Sequence, residues 1–568
     1  MEHRKIDLQR DMATGERRNK TTETALIVVL VAIFAVLCYP LLRTHTSATV
    51  LAAPTSTLDA DRSIDRNVDR AGIQAPRDLE VMRLEPDATA ASMRQAPSAL
   101  VADVLAIIRE AKFSANKYSK GRVSAGDIKV AVHARDLNTG QVVLGIEDDL
   151  ALPPASGMKL VTTAAALVLL GSDWHFETGF DFAGSLQGGA LQGDLIVRAG
   201  GDPLYAGDDS RLVDARLDKV VEALSLRGLS EIRGDLVLDL SSFADPEPGP
   251  EWPDSSQYWQ EHCALAGGLT ANGGVLAARV RATSVGQKAN IEVWPAAHGL
   301  ERRYSTMTVK QKVNDVRVGA TQTAVTVAGK IGASVGTVEA QFAHPDPIEL
   351  FASSLRAALE RGGIALRGVT RRERLAPSAK RMFTLRSSLR STLIPINAHS
   401  VNAVADQVFF ATARAVMDSG TRAAGSQATG LALEQLGVSN KGFVQVDGSG
   451  LSRANRVSAQ QMTTLLAAVF VSDDDTREAF MASLAVAGQS GTLENRMRGG
   501  PADGRVHAKT GWISGVSSLS GFANADNGSE WAFSILVEYP EKESGLNKHC
   551  FKPMHDAIAE RLITGAGL

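Results

Sequence analysis

The sequence predicts an α+β protein in which one mixed domain is divided by a large β-rich insertion and preceded by an apolar span. Three observations carry this. Helical-period and strand-period runs occur together at both ends of the folded part, residues 177–382 are dominated by period-two segments, and 18 uncharged residues run together near the N-terminus. At 568 residues the chain has room for several units of roughly 100–200 residues each.

The uncharged run is Ala25–Leu42, just long enough to span a bilayer. Arg17, Arg18 and Lys20 precede it and Arg43 alone follows closely, which places the N-terminus in the cytoplasm. Residues 1–24 therefore read as a cytoplasmic tail and 25–43 as a single-pass inner-membrane anchor, with the rest exported to the periplasm. The competing reading is a cleaved signal peptide, for which Leu51-Ala52-Ala53 offers a late site. The n-region is long and no A-x-A closes the run, so the anchor is preferred. Residues 44–98 contain no Phe, Trp or Tyr and cannot offset their ordering entropy by burial, so they read as a tether.

From residue 99 the texture changes. VADVLAIIREA has helical spacing, IKVAVHARDL alternates like a strand, and Asn138-Thr139-Gly140 suits a tight turn into GQVVLGI. The charge-free Leu160–Leu170 run is too short for a membrane span and ends at Gly171, so it reads as a buried core helix with a glycine cap. Across 177–382 the strand-like segments GDLIVRA, GDLVLDL, ARVRATS, ANIEVWP, TMTVKQKV and TAVTVAG leave room for helices only near 211–226 and 347–361. After 383 the chain turns helical (PINAHSVNAVADQVFFATARAV, SAQQMTTLLAAVF). It closes with the strands VHAKTG, SSLSGFA and WAFSILVE and the helix MHDAIAERLI. Segments 99–176 and 383–568 thus read as one domain, and 177–382 as its insert.

Composition removes several functions. Lys+Arg total 60 against Asp+Glu 63, a net charge of -3, which lacks the basic footprint of a nucleic-acid binder. Three cysteines (Cys38, Cys263, Cys550) form no CxxC or Cys/His cluster, so neither a metal nor another cofactor is expected. Cys263 and Cys550 could pair in an oxidising compartment, but spacing alone does not establish it.

The chemistry lies in three short motifs. Ser156 and Lys159 stand at S-x-x-K, where i and i+3 share a helix face and the amine reaches the hydroxyl. Pro153-Pro154 put Ser156 in the first turn, where free N–H groups and the helix dipole favour an oxyanion. A lysine desolvated against an apolar helix titrates low enough to act as base. Ser114–Lys117 also matches S-x-x-K but lacks the buried helix, so the motif alone is weak. Ser400-Val401-Asn402 is S-x-N at a helix start, where a plain N-cap is the bland alternative. Lys509-Thr510-Gly511 closes an alternating strand, where the bland alternative is a turn after an edge strand. Together, in this order, they are the serine-hydrolase trio S-x-x-K, S-x-N, K-T-G. Gly332–Gly336 matches G-x-S-x-G, but a strand follows it, so it reads as a hairpin turn.

With these motifs the chain resembles the D-alanyl-D-alanine carboxypeptidase/endopeptidases of peptidase family S13, class C low-molecular-mass penicillin-binding proteins of the DacB type. The resemblance runs from about 102 to 568. It is carried by PASGMKLVTTAAALVLLG, LIVRAGGDPLY, VDGSGLSRANRVSAQQM, AGQSGTLENRM and GRVHAKTGWISGVSSLSGF, and by the long gap between Lys159 and Ser400. It implies a penicillin-binding-protein/β-lactamase-like transpeptidase domain, with an antiparallel sheet and a helical subdomain. The implied reaction cleaves peptidoglycan peptides through an acyl-enzyme, with β-lactams as covalent inhibitors. It implies Ser156 as nucleophile, Lys159 as base, Ser400 as proton relay, Asn402 on the substrate amide and Lys509 as a source of positive potential. Thr510 would bind the substrate carboxylate, Gly511 and Trp512 would line its site, and the N–H groups of Ser156 and Trp512 would form the oxyanion hole. Glu261, in WQEHCALAGG, falls where the family places an acid facing a diamino acid; a solvated surface charge is its bland alternative. Departures from the family pattern are Val401 for Asp, Gln489-Ser490 for Asp-Gly, and Trp512 for Thr. A β-lactamase-like hydrolase would need a deacylating carboxylate, which the sequence does not single out. A non-catalytic wall-binding scaffold is opposed by the intact motif residues.

Overall fold

The computed structural model describes residues 99–206, 211–374, 379–543 and 545–565. The expected anchor (25–43) and tether (44–98) lie outside them, and among the described residues no helix is long and apolar enough to cross a membrane.

Helix α1 (Ala99–Tyr118) buries Val104, Ile108, Ala111 and Ala115, the spacing of a one-sided helix. Strand β1 (Lys129–Asp136) turns back into β2 (Val142–Ile146) as expected. The Asp136 carboxylate holds that turn by accepting the N–H groups of Asn138 and Thr139. The charge-free run becomes α2 (Met158–Leu170), buried over its first ten residues and ended by Gly171 at φ +83°.

Beyond the insert come α3 (Arg390–Asn397), α4 (Asn402–Met417), α5 (Arg422–Gln435), α6 (Ala459–Phe470) and α7 (Asp474–Ala482). Strands β3 (Ala485–Val486), β4 (Val506–Ile513), β5 (Val516–Asn524) and β6 (Glu530–Glu538) and helix α8 (Lys552–Thr564) complete the chain. The stretch PINAHSVNAVADQVFF is two helices rather than one, because Ser400 takes a left-handed φ of +64° between them.

One six-stranded sheet, in the order β3-β4-β5-β6-β1-β2, unites the two ends of the sequence. Strand β1 lies antiparallel to β6 from Lys129↔Glu538 to Asp136↔Trp531. Strand alternation gives the sheet two faces. Phe533, Ile535 and Val537 join a core with α1 and α8, while Ala532 and Leu536 join one with α2, α4 and α6.

Residues 175–388 form three further sheets. His175–Gln187 pairs with both Ala190–Arg198 and Lys380–Ser388, so the first and last strands of this region lie side by side. Helices Arg211–Ser225 and Pro347–Arg361 share its apolar core. The Gly332–Gly336 stretch is not a hairpin turn: Ala324–Gly332 and Thr337–Ala343 belong to different sheets, the latter pairing with Val275–Arg281. The connecting stretch 246–274 reaches back to the helical side of the six-stranded sheet. There Pro250 O accepts from Ser452 Oγ at 2.6 Å, and Gly267 exchanges two hydrogen bonds with the Gln407 amide.

Candidate active site

Pro154 leads into a short 3-10 turn, Ala155–Gly157, that runs directly into α2, with Ala155 at φ +47°. Ser156 therefore stands at the helix threshold, where backbone N–H groups lack intrahelical partners. The turn is pressed from two sides. A Cβ placed on Gly511 of β4 would lie 2.5 Å from Pro154 O and 3.0 Å from Gly157 N. One placed on Gly450 would collide with the Ala155 carbonyl. Glycine at both positions is what lets strand and loop approach the nucleophile turn.

One turn along α2, the Lys159 ammonium sits 2.9 Å from Ser156 Oγ and donates to Asn402 Oδ1 and to the Ser449 carbonyl, both at 2.6 Å. Lys159 has no exposed surface. Burial lowers its pKa to about 8, with Asp406, Asp447 and Glu261 opposing the drop. Lys509 is likewise wholly buried; burial first, and the nearby Lys159 second, hold it well below the ordinary lysine range. Two buried amines in one site disfavour each other's charge. An arriving anion would reverse that for Lys509, whose Nζ now donates to Thr510 O at 2.9 Å.

S-x-N is not a plain helix cap. The N-cap position is Val401, without a side-chain cap, and Asn402 opens α4 with its side chain committed elsewhere. Its Oδ1 takes the Lys159 proton donor while its Nδ2 donates to the His262 carbonyl at 2.8 Å. Ser400, half-buried, occupies the corner just before. The corner is pinned by Val401 N to Pro395 O and by Thr492 N to Ala398 O.

K-T-G does not end its strand. Strand β4 continues to Ile513, with Lys509 opposite Ser520 and Gly511 opposite Ser518, because β5 pairs along its whole length. On its other side the short β3 pairs only with His507 and Ala508, so the sheet leaves Lys509-Thr510-Gly511 without a strand partner there. Thr510 Oγ1 donates to Thr492 Oγ1 at 2.9 Å, and Trp512 is half-buried beyond it.

Glu261 lies in the short turn Glu261–Cys263, next to the His262 carbonyl that anchors Asn402, and its charge is felt at Lys159. The structure thus joins Ser156, Lys159 and Asn402 by direct contact, sets Lys509 within electrostatic reach and brings Glu261 to the same site. Ser114, the decoy match, is in α1 and bonds only to Glu110 among the interactions described. Cys263 and Cys550 are both free and buried, so the pairing left open above is not made.

Sequence reasoning missed the carboxylates behind the lysine. Asp406 lies one turn beyond Asn402 on α4 and accepts from Ser449 N at 2.8 Å. Burial and the neighbouring Asp447 push its pKa up. Its signal was a lone acid in an apolar helix at i+4 from Asn402. Asp447, in the VDGSG stretch, accepts from Gly450 N, Ser452 N, Asn455 Nδ2 and the Trp252 indole.

The family described as "D-Ala-D-Ala carboxypeptidase 3 (S13)" matches over residues 122–560. A D-alanyl-D-alanine carboxypeptidase of Actinomadura sp. (strain R39) is 32% identical over 453 residues, covering 76% of this chain and 80% of that protein. The crystal structure of penicillin-binding protein 4 (dacB) from Haemophilus influenzae superposes with a TM-score of 0.66 at 23% identity, covering 80% of this chain and 99% of that one. A second structure of that protein, complexed with a β-lactam, gives a TM-score of 0.62 at the same 23% identity. The fold is therefore that of penicillin-binding proteins.

Proposed function

The chain belongs to the D-Ala-D-Ala carboxypeptidase 3 (S13) family, and from that membership we propose how its residues perform a serine-type D-alanyl-D-alanine peptidase reaction. The protein is a penicillin-binding hydrolase that cleaves D-alanyl bonds of peptidoglycan peptides as carboxypeptidase, endopeptidase or both. The observation that carries the residue assignments is the buried Lys159 amine 2.9 Å from Ser156 Oγ.

Neutral Lys159 takes the Ser156 proton as Oγ attacks the carbonyl carbon of the penultimate D-alanine. The oxyanion is received by the N–H groups of Ser156 and Trp512. A site of this kind is typically worth about 10²–10³ in rate per donor. Ser400 passes a proton to the departing amine, the C–N bond breaks, and the acyl-enzyme remains. Water then adds to the ester and releases Ser156. Asn402 holds Lys159 and the substrate amide. Lys509 and Thr510 receive the terminal carboxylate, whose charge restores the Lys509 ammonium that burial disfavours. Trp512 bounds the carboxylate pocket. Glu261 meets the amine of a diamino acid in cross-linked substrates, a role supported by its nearness to His262 and Lys159.

A β-lactam enters the same sequence and stops at the acyl-enzyme. The run at 25–43, with Arg17, Arg18 and Lys20 before it, supports an inner-membrane anchor and a periplasmic catalytic part, where peptidoglycan lies. Incubation with a fluorescent penicillin tests the centre: wild type should carry a covalent label and Ser156→Ala none. Equal labelling of the two would remove Ser156 as nucleophile. Digestion of monomeric and cross-linked muropeptides, read by product mass, assigns carboxypeptidase and endopeptidase shares.

A further inference from the structure

Resting on Lys159 as base, we propose that Asp447, assisted by Asp406, is a positioning residue that governs the protonation of Lys159 through the backbone of Gly448-Ser449-Gly450. Both peptides of this turn are held at both ends. In the Ser449–Gly450 peptide the carbonyl accepts from Lys159 Nζ at 2.6 Å, while the N–H donates to Asp447 Oδ1 at 2.8 Å. In the Gly448–Ser449 peptide the carbonyl accepts from Thr162 Oγ1 at 2.7 Å, while the N–H donates to Asp406 Oδ1 at 2.8 Å. A carboxylate on the N–H end polarises the peptide and makes its carbonyl a stronger acceptor, an effect that grows in a dry interior. Asp447 thus reaches Lys159 through one peptide unit without touching it.

The carboxylate itself is immobilised. Trp252 Nε1, Ser452 N and Asn455 Nδ2 add donors at 2.9, 2.8 and 2.8 Å, and Asp447 has no exposed surface. Gly450, at φ +79°, packs so close to Ala155 that a side chain there is excluded, which lets the turn lie against the nucleophile turn. The charged and titratable groups facing Lys159 come from four places. They are Asp406 on α4, Asp447 in the loop before α6, Glu261 and His262 in the stretch from the insert, and Lys509 on β4. Arg422, on α5, acts in turn on Asp406. Burial disfavours a charged Lys159, and the carboxylates of Asp406, Asp447 and Glu261 restrain that fall. The balance lies at about 8, where base and conjugate acid are both accessible.

The test follows acylation of the full chain by a fluorescent penicillin from about pH 5 to about pH 10, bracketing the lysine transition. In Asp447→Asn the rise of rate with pH should move to lower pH by about one unit, because a fixed negative charge near the ammonium is gone. Asp406→Asn, which keeps an acceptor for Ser449 N–H, should give a smaller shift of the same sign. An unmoved midpoint with a lower plateau would reduce both residues to structural roles and overturn the proposal. If Asp447→Asn does not fold, Asp406→Asn decides by the same two outcomes. Lys159→Ala separates this from the underlying reading: wild-type acylation in that variant would overturn the base assignment, and the proposal with it.

Discussion

Gly511→Ala isolates the contact that closes the nucleophile turn onto the sheet. Gly511 lies in β4 opposite Ser518, and its φ is not left-handed, so alanine meets no backbone penalty there. What alanine meets is the neighbouring turn. Its Cβ would stand 2.5 Å from Pro154 O, where a carbon–oxygen contact is comfortable at about 3.3 Å. It would also strike Ser518 Oγ, whose hydroxyl occupies the vacant side of Gly511 and donates to Pro154 O at 2.7 Å. Strand and turn must therefore separate by roughly 0.8 Å, and the Ser518 bond is lost with them. Stability should fall by about 1–3 kcal/mol, the usual cost of overpacking. Acylation should fall further, because a misplacement of about 1 Å at reacting atoms costs on the order of 10²-fold. The assay pairs the second-order rate of labelling by a fluorescent penicillin with thermal unfolding of the same sample. Gly528→Ala is the control: Gly528, at φ +85°, has nothing within 4 Å of its missing Cβ, so it should cost stability without touching acylation. Acylation by folded Gly511→Ala within about threefold of wild type would refute the reasoning, since the estimate is near 10²-fold.

Four further outcomes follow from the same geometry. Wild-type acylation should rise as pH passes through about 8, where Lys159 loses its proton, and flatten above; a flat profile would exclude a titrating lysine base. Asn402→Ala removes both the Lys159 acceptor and the His262 carbonyl's donor, so labelling should drop on the order of 10²-fold or more; steady-state labelling kinetics check it. Lys509→Ala should raise KM for peptides ending in a free carboxylate far more than for amidated ones, as measured on matched synthetic substrates. Thr162→Val leaves the buried Gln445 Nε2 without its acceptor and Gly448 O without its donor, costing about 1–3 kcal/mol in denaturant unfolding.

How much of this was legible depended on whether partners are near in sequence. Ser156 and Lys159 are three residues apart on one helix, and helical periodicity alone brings them together. The last three strands were readable as strands because β4, β5 and β6 each alternate regularly. The pairing of β1 with β6, from Lys129↔Glu538 onward, was not, since nothing local encodes a partner some four hundred positions away. The placement of K-T-G failed for a related reason. Gly511 looked like a strand end, yet it is small because a neighbour presses on it and not because the chain turns. Asp406 and Asp447 stayed hidden because a buried acid announces itself only through donors, and those donors are a backbone turn and a tryptophan from elsewhere.

That tryptophan bears on what the insertion does. The stretch 246–274 supplies the indole of Trp252 to Asp447, the carbonyl of His262 to Asn402 and the backbone of Gly267 to Gln407. Each of the three recipients is buried, and Asn402 bonds Lys159 directly. A buried amide or carboxylate deprived of its partner costs more than an exposed one, because no water replaces the bond. The region between Lys159 and Ser400 is therefore coupled to the reacting centre through polar contacts that only a docked connecting stretch can make. A sequence reading that treats the insertion as a separable β module assigns it no part in setting the lysine, whereas these three contacts make it one wall of the site.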